Sequence, residues 1–259
     1  MTDGKRNARH EVWIGCAGWT LPREAVAGFP GSGTHLERYA RVFPAVEINT
    51  TFYRPHRPET FERWAASVPA RFRFSLKTHR AVTHFRRLKN PDDLLAPFVE
   101  ASARLGERRG PLVVQLPPTL RYEPAVARAF LRTLRRLHSG PVAFEPRHPS
   151  WFSPAVESLL AEFEIARVAA DPPRARTDGR PGGFSGLAYF RLHGSPRMYF
   201  SAYDEQFLAR LARRVQRLSR SGEVWVVFDN TATRAAVDNA RTLMALVDRH
   251  RDAGSPGRR

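Results

Sequence analysis

Phe72–His79 reads FRFSLKTH. Phe72, Phe74 and Leu76 alternate with Arg73, Ser75, Lys77 and His79, the two-residue period of a β-strand with one apolar and one polar face. Seven further apolar runs flank it: Trp13–Trp19 (WIGCAGW), Ala45–Phe52 (AVEINTTF), Pro111–Pro118 (PLVVQLPP), Val142–His148 (VAFEPRH), Ile165–Asp171 (IARVAAD), Leu187–Gly194 (LAYFRLHG) and Glu223–Asn230 (EVWVVFDN). Their starts lie roughly 20 to 40 residues apart, the repeat of a strand followed by a helix. Eight such units predict an α/β fold closed as a (β/α)8 barrel, whose strand ends gather around one pocket.

Helical patterns fill the intervals: Thr34–Val42, Pro58–Ser67, Pro91–Leu105, Glu123–Leu137, Ser153–Phe163, Tyr203–Ser219 and Thr231–His250. Thr34, Ser153 and Thr231 are suited to N-caps, and Pro154 to a first helical position. The interval after the sixth run differs. Pro172–Gly186, PPRARTDGRPGGFSG, is too rich in proline and glycine for a helix, and an irregular connection on the pocket side is expected, either a mobile cover or a plain link. No boundary divides the chain: residues 12–250 read as a single domain between basic tails at 1–11 and 251–259.

With 259 residues, 42% hydrophobic and 26% charged, the chain can bury a sizeable core. No apolar stretch reaches the roughly 20 residues of a membrane span, and the opening MTDGKRNARH lacks the apolar centre of a signal peptide. No membrane partner and a cytoplasmic location are therefore expected. The single cysteine, Cys16, excludes an intrachain disulfide and any multi-cysteine zinc site, and reads as a small buried side chain. The net charge of +17 would attract polyanions such as nucleic acid. Its arginines recur on helix faces, however. Arg128, Arg132, Arg135 and Arg136 oppose Val126, Phe130, Leu134 and Leu137, and Arg210, Arg213, Arg214, Arg217 and Arg220 oppose Leu211, Val215 and Leu218. That is the pattern of solvated outer faces.

Helices cover the outside of such a barrel, so the apolar set of each strand should face them and the polar set should face the lumen. The inward group is then Glu47, Asn49, Lys77, His79, Gln115, Glu145, Arg147, Arg191, His193 and Asp229. So many charges need partners, and Glu47 with Lys77 and Glu145 with Arg191 are the expected pairs. A hydrogen-bonded plug would give the same pattern for the deeper residues. His79, His148, His193 and Asn230, at or beyond the strand ends, are the better placed for binding.

The strings GCAGW, VEINTTFY, FSLK, PLVVQLPP, EPRHPSW, YFRLHG and VVFDNT, in that order from about Trp13 to about Val247, closely resemble the signature strings of the YecE-like family, domain of unknown function 72. The resemblance implies a TIM-type barrel and brings no established substrate. The matching positions are Gly15, Gly18 and Trp19; Glu47, Asn49, Thr51, Phe52 and Tyr53; Lys77; Gln115 and Pro117; Glu145, Arg147, His148 and Trp151; Arg191, His193 and Gly194; and Asn230 and Thr231. Departures are Cys16 and Ala17 in place of a usual Thr-Ser pair, Pro146 in place of a common Phe, and Asp229 in place of a common Asn.

The chemistry expected is that of a metal-independent enzyme without cofactor, acting on a small anionic or phosphorylated ligand. Lys77, Arg147 and Arg191 suit a phosphate or carboxylate, Glu47 or Glu145 a general base, and His193 or His79 an acid. Trp19, Tyr53 and Trp151 offer stacking surfaces for a sugar or base. A Schiff base on Lys77 is the weaker variant, because neighbouring carboxylates would hold the amine charged. Two other classes compete: nucleic-acid binding or processing through basic and aromatic residues at the mouth, and a metal-dependent hydrolase or isomerase using Glu145, Asp171, His193 and Asp229.

Overall fold

The computed structural model describes residues 10–21, 23–173, 179–232 and 235–253. The basic tails therefore lie outside the described residues over 1–9 and 254–259. The strands are β1 (Val12–Ala17), β2 (Ala45–Ile48), β3 (Arg73–Lys77), β4 (Arg109–Gln115), β5 (Val142–Glu145), β6 (Ala166–Arg167), β7 (Ala169–Asp171), β8 (Gly182–Gly183), β9 (Leu187–Leu192) and β10 (Glu223–Phe228). Their order, β7-β9-β10-β1-β2-β3-β4-β5-β6-β8, is parallel throughout except for the last pair. The two halves of the expected sixth strand stand at opposite ends of this order. β6 pairs with β5 and β7 with β9, and only Val168 lies between them in the chain. The sheet thus comes round to a nearly closed barrel, with a seam at the sixth strand.

That seam accounts for part of the Pro/Gly-rich connection. Where β6 parts from β9, Gly182–Gly183 pairs antiparallel on its free edge, and Glu157 accepts the Gly183 N–H while ion-pairing with Arg167. A side chain at Gly182 would strike Glu157 and Arg167. Residues 174–178 of the connection lie outside the described residues.

The helices are α1 (His35–Ala40), α2 (Thr50–Tyr53), α3 (Pro58–Ala66), α4 (Asp92–Ala103), α5 (Pro124–Leu137), α6 (Pro154–Glu162), α7 (Glu205–Leu218) and α8 (Ala235–Ala253). Thr34 and Ser153 cap as expected, Thr34 in a reciprocal pair with Glu37. Asp204 caps α7, so that helix begins after Tyr203. Thr231 lies in a turn, and α8 is described from Ala235. Among the described residues no helix is long and apolar enough to cross a membrane.

Two apolar layers result. The outer one sets Ile14, Val46, Ile48, Phe74, Leu76, Val114, Phe144, Phe190, Val226 and Phe228 against the helices. Gly15 is required in this wall: a side chain there would lie 1.9 Å from the Ala45 carbonyl oxygen, which Tyr39 also bonds. The inner layer is smaller and fills the lower lumen with Trp13, Val113, Ala143, Tyr189, Trp225 and Val227. Tyr189 stacks on Trp225 at 5.9 Å, and both Trp13 and Trp225 donate to Glu223. The lumen is therefore sealed from below, and its polar groups collect at the upper end. Cys16 lies buried in the wall, where burial pushes its thiol up to about 12.

Not every arginine on the outer helices is solvated. Arg135 is half-buried and donates to four carbonyls, those of Phe163, His138, Gly140 and Glu164, tying the end of α5 to the approach to β6. Arg128 and Arg136 pair with Glu162 and Asp92.

Candidate active site at the upper end of the barrel

Arg191 is the hub of the site. It stands on the inward face of β9 and is wholly buried. Its Nη2 and Nε donate to the two oxygens of Glu47 at 2.7 and 3.0 Å, its Nη1 to Glu145 at 2.7 Å, and Nη2 also to Asp229 at 3.0 Å. The planar guanidinium can serve three carboxylates because its donors fan out in a fixed fork. Burial alone would favour a neutral Arg191. The three carboxylates outweigh it and raise the guanidinium well above its usual value.

Glu145, at the tip of β5, carries the second layer of contacts. Gln115 donates to it at 2.9 Å, and Arg147 reaches it through Nε and Nη2, each at 3.0 Å. Burial pushes this carboxyl up, but Arg191, Arg147 and His193 overcome that and hold it well below the usual carboxylate range. Asp229 is treated in the same way by Arg191, His193 and Lys77. His193 sits between them, with Nδ1 3.0 Å from Asp229 and Nε2 3.4 Å from Glu145. Below Glu47, Tyr189 donates to its Oε2 at 2.9 Å and shares a 2.7 Å hydrogen bond with Ser75.

Lys77 departs from the expected pairing. Glu47 is taken by Arg191, and Lys77 Nζ has neither a hydrogen bond nor a carboxylate within 4 Å among the described residues. It lies 4.1 Å over the ring of Phe52 instead. Burial, then the charge of Arg191, pull its value down to about 8, against the opposing pull of Glu47, Glu145 and Asp229. The Glu145–Arg191 pair is formed as expected.

The second run stops being a strand sooner than its alternation implies. β2 ends at Ile48, and Asn49 opens the short α2. Thr51 bonds the carbonyls of Ile48 and Lys77, fixing the tip of β3, and Phe52 is thereby set beneath the lysine. Asn49 Oδ1 is buried without a hydrogen-bond partner among the described residues.

The remaining expected residues divide. Tyr53 is exposed, with Arg80 over its ring at 5.6 Å. His79 bonds the Ala81 N–H and introduces a π-helical turn, Ala81–Phe85. His148 caps the turn Pro149–Trp151 through Ser150. Trp151 is 1% exposed, donates to Leu120 and packs on Tyr122 and Phe144, so no stacking surface is available there. Trp19 packs edge-on against Trp64 and Phe74 in the helix layer, away from the charges. Asn230 is buried and ties Ser201 to Asn239. Asp171 is held by Tyr203, and no three His, Cys, Asp or Glu side chains converge as a metal-binding group among the described residues.

Four participants were not among the site residues expected from the sequence, although Ser75 lay in the polar set of its strand and Phe52 among the family-matching positions. Ser75 and Tyr189 lie on inward faces and were within reach of the alternation. Phe52 and His84 come from helical turns beyond the strand ends, where that signal stops. His84 lies edge-on to Phe52 at 5.0 Å, and burial with the charges of Lys77, Arg147 and Arg80 lowers its imidazole. A cleft of about 760 Å³ opens at the opposite end, lined by residues including Trp13, Pro44, Phe72, Arg73 and Asp248. It lies far from this chemistry, and barrel enzymes react at the C-terminal strand ends.

The profile of the family described as protein of unknown function DUF72 matches residues 13–258, and the chain belongs to that family. It is 35% identical over 172 residues to the UPF0759 protein YecE of Escherichia coli K12, a match covering 66% of this chain. The chain spans 60% of the length of that relative. A crystal structure of a DUF72 family protein from Thermotoga maritima aligns over 92% of this chain and all of its own, at 25% identity and a TM-score of 0.77. One from Enterococcus faecalis, 23% identical, covers 92% of this chain and 96% of its own with the same score, and shows the same fold.

Proposed function

We propose that this DUF72 protein is a metal-independent enzyme that binds a small anionic substrate, a carboxylate or phosphate, at the upper end of its barrel and moves protons on it. One observation carries the reading. Lys77 is a buried ammonium with no carboxylate within 4 Å among the described residues. An isolated buried cation is costly, and an anion arriving at the mouth would relieve that cost. Arg147 and Arg80 stand close enough, with Lys77, to lower the imidazole of His84, so positive charge gathers on this side of the opening. The carboxylates beneath are spent on Arg191, which narrows their part. Glu47 and Glu145 fix the guanidinium, whereas His193, with Nδ1 3.0 Å from Asp229, is the imidazole beside the reacting space that we assign to proton transfer.

Calorimetric titration with inorganic phosphate tests the reading. Binding to the wild type that weakens at least tenfold in Lys77→Met supports it. Equal binding to both proteins, or none to either, overturns it.

A further inference from the structure

We propose that Lys77 is an amine nucleophile that forms an imine with a small aldehyde or ketone bearing a carboxylate or phosphate. The proposal rests on the anion reading above and adds to it a covalent step and a carbonyl.

The first ground is which cation stands where. Of the 42 lysine and arginine residues only Lys5, Lys77 and Lys89 are lysines. Lys5 lies outside the described residues and Lys89 is exposed on the surface. A permanent positive charge is supplied by arginine almost everywhere else in the chain, including the hub of this site. Arginine does not lose its proton in proteins; an amine can, and only then does it have a lone pair to give.

The second ground is geometry. No carboxylate pairs directly with Lys77 among the described residues, because Arg191 has drawn both oxygens of Glu47, one of Glu145 and one of Asp229 to itself. What faces the amine is the ring of Phe52, while Thr51 holds its backbone carbonyl at 2.7 Å. The lysine is thus positioned without being neutralised. Its lowered value of about 8 agrees, leaving about a tenth of it as free amine at pH 7.

The step balances with groups already present. The Nζ lone pair attacks the carbonyl carbon, a C–N bond forms, and the C–O π pair moves to oxygen, which takes a proton. The carbinolamine then expels that oxygen as water after a second protonation, as the nitrogen lone pair forms the C=N bond and one N–H proton is released. Amine, carbonyl and one proton give an iminium ion and water, and water reverses the sequence. His84, near enough to sense the charge of Lys77, and the His193–Asp229 couple are the proton carriers at hand. The iminium draws electrons from the adjacent carbon, so proton removal or C–C cleavage there is the chemistry it enables.

Three lysines make a self-controlled experiment. The whole protein is incubated with glyoxylate, and separately with pyruvate, in the presence of cyanoborohydride, and adducts are located by peptide mass mapping. Lys77 is expected to be labelled at least tenfold faster than Lys89, at a rate falling about tenfold per pH unit below pH 8. Excess phosphate is expected to protect Lys77 and leave Lys89 unchanged. Labelling of Lys89 at an equal or greater rate overturns the proposal without any variant being made. Phosphate binding that depends on Lys77, with no label there, overturns the imine and leaves the anion reading standing; loss of both overturns both.

Discussion

Glu47 and Arg191 meet across the barrel through two parallel hydrogen bonds, although β1 and β10 lie between their strands in the sheet. The pair closes the upper lumen from side to side, and every other charge in the site is arranged around it.

Removing the guanidinium strands three carboxylates at once. Arg191→Met is expected to cost at least about 3–5 kcal/mol, the usual penalty for breaking a buried ion pair from one side. Arg191→Lys should fail nearly as badly, since one ammonium cannot replace the fork. Urea unfolding measures both, and a variant within 1 kcal/mol of wild type, on the order of a single neutral hydrogen bond, would contradict the hub.

Acid should unlock the same cluster. Glu145 and Asp229 have folded values below their unfolded ones, so as pH falls the unfolded chain takes up protons first. Their stabilisation is complete above about pH 5 and drains away as pH drops through the usual carboxylate range towards the folded values. Urea midpoints between pH 7 and 3 should fall steeply for wild type and less steeply for Glu145→Gln. Parallel profiles would rule this carboxylate out as a source of the slope.

Lys77 should tilt the profile in the same direction, in a higher pH window. Its folded value of about 8 lies below that of an unfolded lysine, so between about pH 8 and 10 the unfolded chain holds the extra proton and stability rises with pH. At pH 7 the charged amine is a burden, and Lys77→Met is expected to stabilise the fold by on the order of 1–3 kcal/mol. Thermal unfolding decides this. A destabilised variant would mean that Phe52 gives the ammonium more than burial takes away.

Two arginines of α5 should separate cleanly. Arg135→Ala loses four carbonyl contacts and is expected to cost about 2–4 kcal/mol, while exposed Arg132→Ala should stay within about 0.5 kcal/mol. Equal denaturant midpoints would remove the clamp.

The alternation in FRFSLKTH and its counterparts was enough to place Glu47, Lys77, Gln115, Glu145, Arg191 and Asp229 on the inner wall, because a two-residue period fixes a face without knowledge of the neighbours. It could not say who pairs with whom. Glu47 crosses the lumen to β9 and bypasses Lys77 on the adjacent β3, a choice set by how far the strands are staggered around the ring. The signal also fails where a strand ends: Asn49 and Thr51 follow the period of β2 in sequence, but Asn49 precedes α2 and Thr51 lies in it, and Trp151 and His148 are swept into a turn that buries one and makes a cap of the other. Nor does IARVAAD betray its break at Val168, since each half is ordinary strand sequence and only the two different neighbours divide it.

The floor of Trp13, Tyr189 and Trp225 has a kinetic side. With the lower lumen filled, the route to Lys77 runs through the upper opening, for arrival and departure alike. If catalysis there splits a substrate in two, one piece remains on the lysine and the other is set free. Under the imine proposal, the sealed floor would leave the upper opening as the common path for entry and for release of both pieces.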